Sequence, residues 1–186
     1  MRINLITIMI ICLFIFMSEI TIGQTERTFK DKKAYRHTLE ISPLSPVFKI
    51  YAIQYGYLLS QKNELMLGFA YANIEYDEGR SHAPTLILGY RRFLWKGFHL
   101  EYQIWPAYND YYETTEQKYY NGFELWNEFR SGYQFCFKIH NIPITINPQI
   151  LCGFGLYPGN KPQSFIKTME EEPVFIYPNV FMGIKF

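Results

Sequence analysis

Ser81 and His82 stand side by side, with Asp77 and Glu78 a few residues upstream. These are the residue types of nucleophilic acyl transfer: a hydroxyl to attack, an imidazole to take its proton, a carboxylate to orient the imidazole. A triad is a geometry rather than a string of neighbours, so His82 is a weak catalytic candidate. A second set is Glu40, Arg91, His99, Glu101, Glu124, Glu128 and Arg130. Carboxylates close to guanidinium and imidazole groups can tune a proton for acid–base work. The same groups, with nearly balanced signs, also make a purely structural ion-pair network. Cys136 and Cys152 are expected on opposite faces of one wall, unbridged. No paired ligand spacing surrounds either thiol, so no metal and no cofactor is expected.

The elements that carry these residues alternate at period two. From His37 the chain repeats one scheme, apolar and bulky on one face, small or polar on the other. Tyr51, Ile53, Tyr55 and Tyr57 oppose Ala52, Gln54 and Gly56; Leu65, Leu67, Phe69 and Tyr71 oppose Gly68, Ala70 and Ala72. Phe98, Leu100, Tyr102 and Ile104 oppose His99, Glu101, Gln103 and Trp105. Strict alternation of this kind argues β-strands with two unlike faces. Eight strands result when His37–Ser45 is the first, with a break at Pro43–Pro46. Short turns are expected at Ser60–Glu64, Trp95–Gly97 and His140–Asn141, and long loops at Asp77–Pro84, Asn109–Asn121 and Pro158–Pro173. Placed on those strands, all seven residues of the charged set share the polar face. A barrel of about eight strands has room inside only for side chains, which favours the ion-pair network over a catalytic centre.

The ends of the chain bear on which face is wet. Val174, Ile176, Val180, Met182, Ile184 and Phe186 fall on one face; Phe175, Tyr177, Asn179, Phe181, Gly183 and Lys185 fall on the other. At the start, Arg2 precedes an apolar run from Ile3 to Met17, too short to span a bilayer comfortably and suited to a signal-peptide core. The expected organisation is a signal peptide over 1–23, a periplasmic lead-in over 24–36 and a barrel over 37–186. The mature chain is long enough for eight strands and far too short for a porin. Lys and Arg number 18 against 17 Asp and Glu, so no field recruits nucleic acid. The 16 Tyr and 16 Phe favour strands and the headgroup zone of a membrane. Alternation alone also fits a soluble, lipocalin-like binding barrel. The bulky apolar face and the crowded polar one favour lipid outside and ion pairs inside.

The stretch Thr38–Tyr71 (TLEISPLSPVFKIYAIQYGYLLSQKNELMLGFAY) and the Phe-terminated last strand resemble small eight-stranded outer-membrane β-barrel proteins. The resemblance is to the OmpX and OmpW type, and closer still to the small barrel proteins of Bacteroidota. It covers essentially all of the mature chain and rests on patterns more than on fixed residues. It implies an all-β, eight-stranded, antiparallel, up-and-down transmembrane barrel in the bacterial outer membrane. It also implies Val180, Met182, Ile184 and Phe186 as a signal to the barrel-assembly machinery, with outer-membrane lipid as the surroundings. The expected role is non-enzymatic: structure, a narrow passage, or surface contact through the loops around 109–121 and 158–173. Some relatives of this kind are lipid-modifying hydrolases, and His82 is the residue through which a lipid A deacylase-like activity would run. The His-x-Ser of that pattern is absent, since His99 is followed by Leu100 and Glu101.

Overall fold

The computed structural model describes residues 35–171 and 173–186. The expected signal peptide, and the lead-in as far as residue 34, lie outside the described residues. The strands are β1 (His37–Ile41), β2 (Ile50–Leu58), β3 (Asn63–Glu75), β4 (Gly79–Trp95), β5 (Phe98–Glu113), β6 (Lys118–Tyr133), β7 (Phe135–Ile139), β8 (Ile142–Tyr157) and β9 (Phe175–Lys185). A 3-10 turn covers Ser45–Phe48 and a helix, α1, covers Gln163–Glu171.

Every described strand pairs antiparallel with its neighbours, and the sheet closes on itself. β1 pairs with both β2 and β9, while β8 pairs with β9, β7 and β6. β6 and β7 are one wall strand interrupted at Gln134. Their register against β8 runs on without a shift, from Gly132↔Gln149 to Phe135↔Ile146. The wall is therefore an eight-stranded antiparallel barrel, and closure removes the unpaired edges that an open sheet would expose.

Turn chemistry explains the short connections at one end. Lys96 has a φ of 49°, and His140 and Asn141 have φ of 48° and 68°. Two-residue hairpins need such left-handed positions because their twist matches that of the flanking strands. At the other end the loops are shorter than the sequence pattern implied. β4 begins at Gly79, so Ser81–Pro84 are strand rather than loop. In the expected loop Asn109–Asn121, β5 runs to Glu113 and β6 starts at Lys118. Asn109 pairs with Gly122, Tyr111 with Tyr120 and Glu113 with Lys118. Tyrosine prefers strands and pairs across them, and the rings of Tyr112 and Tyr119 meet at 4.9 Å. The expected loop Pro158–Pro173 contains α1. The first strand stops at Ile41, and Ser45 belongs to the 3-10 turn instead.

Close approach across the wall calls for small residues inside. A Cβ on Gly68 would lie 2.5 Å from the Ile53 carbonyl oxygen and 2.9 Å from Gln54 Cα. Both are backbone atoms of β2 and cannot swing aside, so the lumen face of β3 carries glycine at this level, followed by the small Ala70 and Ala72.

Candidate functional site: the charged lumen and the outer rim

The polar face points inward. Glu40, Glu64, Glu101 and Arg91 lie at the centre of the lumen with side chains of 0% exposure. Arg91, on β4, serves three carboxylates from three other strands. Its Nη2 donates to Glu40 Oε2 (2.9 Å), Nη1 to Glu64 Oε2 (3.0 Å) and Nε to Glu101 Oε2 (2.6 Å). A guanidinium is a planar fork of five N–H donors, and here the fork spans the lumen. Neutral partners complete the set: Gln54 Nε2 donates to Glu40 (2.9 Å), Thr38 Oγ1 to Glu64 (3.1 Å), and Gln103 Nε2 to Glu101. Charges buried this deeply persist only when paired and hydrogen-bonded.

A second cation extends the network along the lumen. Arg130 holds Glu128 through Nε (2.8 Å) and Nη2, and lies 3.5 Å from Glu101 through Nη1. The ring of Phe181 lies 5.0 Å from its guanidinium carbon, and that of Trp105 5.6 Å. Lys185 Nζ donates to Gln134 Oε1 (2.8 Å), and Gln134 Nε2 reaches Glu40 (3.3 Å). His99 sits beside Gly97 O (3.1 Å) and Gln149 Nε2 (3.3 Å). The side chains of β1 to β6, β8 and β9 thus meet across the lumen. Such a network fills the space between the walls with paired charge.

The far end of the lumen, away from the short turns, is capped. Phe165 of α1 is buried, with its ring 5.1 Å from Tyr111 and 5.6 Å from Tyr76. Beneath it Lys161 Nζ donates to Glu124 Oε1 (2.7 Å) and faces the rings of Phe165 (5.3 Å) and Tyr111 (5.6 Å). Burial pulls the Lys161 ammonium below the ordinary lysine range, and the hydrogen bond and charge of Glu124 oppose that only in part. Burial also raises the Tyr76 phenol well above its usual value. The described residues 158–171 therefore close the mouth instead of standing away from it as a free loop.

The apolar face points outward. Phe69, Phe129, Ile150 and Ile176 are all more than half exposed, with 70% at Ile176. Leu67, Leu100, Met182 and Ile184 continue the exposed surface around the wall. Aromatic residues bound it at both ends: Tyr71, Tyr108 and Phe123 at the capped end, and Trp95, Phe98 and Phe186 at the other. From Pro84 to Leu94 on β4, roughly 3.3 Å per residue at a tilt of roughly 40° rises about 25 Å, the height of a barrel's lipid-facing band. Cys136 stands opposite the lumen residue Thr145, whereas Cys152 stands opposite outward-facing Ile176, so the two free thiols are on different faces.

His82 is on the outer surface, half-buried, with Nδ1 3.0 Å from the Tyr71 hydroxyl. Ser81, one residue away on the same strand, is buried on the lumen side. Successive strand residues point to opposite faces, so this serine cannot meet this histidine. The expected charged set, Glu40, Arg91, His99, Glu101, Glu124, Glu128 and Arg130, is buried throughout. Sequence reasoning missed Glu64, which it placed in a turn, although Glu64 shares the parity of Met66, Gly68 and Ala70. It also left out Lys161, whose inward position depends on how the segment folds back over the mouth. Val180, Met182, Ile184 and Phe186 face outward, Val180 half-buried and the other three exposed. Phe186 exchanges backbone hydrogen bonds with His37 (2.9 and 3.0 Å), and their rings stack at 5.5 Å. Among the described residues no group of three His, Cys, Asp or Glu could hold a metal ion.

No family model matches the chain, and no curated protein matches it. The solved N-terminal β-barrel domain of Pseudomonas aeruginosa OprF is similar with a TM-score of 0.49 and 13% identity. The match covers 81% of this chain and 96% of that one. The barrel fold described above rests on the chain's own strand pairing and not on this likeness.

Proposed function

We propose that this chain is an outer-membrane β-barrel with a non-enzymatic role. It is a rigid wall, sealed to solutes, that presents its capped end at the cell surface. One observation carries the reading: the barrel is polar inside and apolar outside. Arg91 and three glutamates are fully buried in the lumen while the outer wall exposes Phe69, Phe129, Ile150 and Ile176. In water this distribution would leave a large apolar surface wet, and large exposed apolar patches mark an interaction with membrane or protein. In a bilayer it is the arrangement a closed barrel requires. A lipocalin-like binding barrel would need the opposite arrangement, an apolar pocket and a polar exterior.

The long strands and short turns fit a periplasmic end at Leu59–Lys62, Lys96–Gly97 and His140–Asn141 and an outer end at α1. On this reading Val180, Met182, Ile184 and Phe186 serve the barrel-assembly machinery, and the lead-in and signal peptide precede the barrel. Surface contact runs through the β5–β6 hairpin, where Tyr108 and Tyr119 are exposed, and the exposed side of α1. A hydrolase built on His82 lacks a serine on its own face. The test is fractionation followed by electrophoresis with and without boiling, then planar-bilayer recording of the purified protein. The expected result is a heat-shifted band in the outer-membrane fraction and no open-pore conductance. A soluble periplasmic pool without a heat shift would reject the membrane reading; steady conductance would reject the sealed lumen.

A further inference from the structure

The cap sits on the mouth of the barrel as a ligand sits on a receptor. Three of its side chains reach inward at a spacing of four residues: Lys161, Phe165 and Met169. The wall meets each with a matching group. Glu124 accepts from Lys161 Nζ through Oε1 (2.7 Å), and Trp126 Nε1 fixes the other carboxylate oxygen at 2.8 Å. Tyr76 and Tyr111 hold the Phe165 ring edge to face, at 5.6 and 5.1 Å. Met169 packs on Gly155, where a Cβ would come within 2.8 Å of its Cε. A carboxylate anchored by an indole and flanked by phenol rings is suited to a cation with an aromatic neighbour, through a charge-assisted hydrogen bond and ring contacts.

The occupant is a poor helix by its own sequence. At nine residues α1 is shorter than the roughly 12–15 residues at which isolated helices become even marginal in water. Its first turn has no acidic residue and its last turn no basic one, and Glu170 and Glu171 put negative charge at the negative end of the dipole. Docking, more than propensity, therefore keeps it helical. Burial also holds the docked ammonium below the ordinary lysine range, a cost that Glu124 offsets only in part. The segment is tied at its ends, to β8 and β9, so it can leave the mouth without leaving the protein.

We infer that this mouth is a receptor site for a helical segment of another protein, and that residues 161–169 are an intramolecular stand-in for it. The partner offers a cation to Glu124, an aromatic ring to Tyr76 and Tyr111 one turn further along, and an unbranched apolar side chain to Gly155. Cap and partner exclude each other, and the mouth is closed in either state. The cell-surface setting rests on the reading proposed above; the site does not.

The test is peptide binding to the full barrel in a zwitterionic detergent, with the heat shift as the check on folding. Phe165→Ala, which undocks the cap, is compared with wild type. The probe is a fluorescent alanine–glutamine helix bearing a lysine, a phenylalanine four residues on and a methionine eight residues on. It is expected to bind Phe165→Ala about tenfold more tightly than wild type, whose own cap competes. Norleucine in place of the probe's lysine weakens binding about tenfold, the loss of one charge-assisted hydrogen bond. Glu124→Gln removes most of that difference, and the norleucine probe reads the same contact with the barrel unaltered. Binding that ignores the probe's lysine, or no binding at all to heat-shifted Phe165→Ala, overturns the site. Equal binding to wild type and Phe165→Ala overturns the stand-in. Binding by a peptide of residues 158–171 with the alanine–glutamine helix inert makes the partner a second copy of this chain and overturns the class proposed. Failure of the wild-type chain to give a heat-shifted barrel instead counts against the membrane reading itself.

Discussion

Arg91→Met is the sharpest test of what holds the lumen together. The wild-type guanidinium is fully buried and pairs with three equally buried carboxylates at 2.6–3.0 Å. Methionine fills comparable length with no charge, and leaves Glu40, Glu64 and Glu101 facing one another. Removing one partner from a buried pair costs on the order of 3–5 kcal/mol, because an uncompensated charge stays behind. Gln54, Gln103 and Thr38 still donate to the orphaned carboxylates, which keeps the estimate inside that range despite three lost pairs. With a urea slope of about 2 kcal/mol per molar, a loss of about 4 kcal/mol moves the unfolding midpoint down by roughly 2 M. The assay is urea unfolding of the barrel in lipid vesicles, followed by the gel shift and by tryptophan fluorescence. The quadruple variant Arg91→Met, Glu40→Gln, Glu64→Gln, Glu101→Gln is expected to recover much of the loss, since neutral replacements of a buried network are often close to neutral in stability. A loss below about 1 kcal/mol in the single variant, or no recovery in the quadruple one, would refute the network as the organising element of the lumen.

Four further outcomes are expected. Phe165→Ala empties the buried wedge of α1, at a cost on the order of 3 kcal/mol to docking of the cap; limited proteolysis should cut within 158–173 while the heat shift persists. Tyr111→Phe removes a buried hydroxyl that has no hydrogen-bond partner among the described residues, so urea midpoints should stay level or rise, because an unsatisfied buried donor is a cost rather than a gain. Gly68→Ala forces a methyl into the β2 backbone and should destabilise by about 1–3 kcal/mol, read by the same unfolding curves. Docking of the cap should tighten as pH rises toward 10.5. Lys161 sits below that ordinary value when docked, so the undocked segment binds more protons in that window; hydrogen exchange across 158–171 that quickens, once corrected for its intrinsic pH dependence, would contradict it.

Much of the wall was legible because a strand writes its two faces into the chain at period two. Glu40, Arg91, His99, Glu101, Glu124, Glu128 and Arg130 all follow the parity of small residues such as Gly56, Gly68 and Gly132, and parity alone sends them to one side. Strand ends were less legible. Gly79–Pro84, Asn109–Glu113 and Lys118–Asn121 look like loops by composition, yet pairing across the sheet carries them on as strand. Composition records solubility, whereas extension depends on the partner strand and on rings such as Tyr112 and Tyr119 that meet only once the hairpin forms.

The sequence by itself therefore determined the strand count, the alternation and which residues share a face, because these are local properties of a pleated chain. Only the tertiary structure decided who meets whom across the lumen. Arg91 gathers glutamates 51, 27 and 10 residues away, a choice set by closure and register that no local pattern encodes. The same closure aligned Asn73, His82, Asp110 and Asn121 into one row, and the folding back of residues 158–171 brought Lys161 down to Glu124. The row depends on how one strand is offset against the next, and that offset exists only in the closed sheet; the cap depends on contacts between segments far apart in the chain.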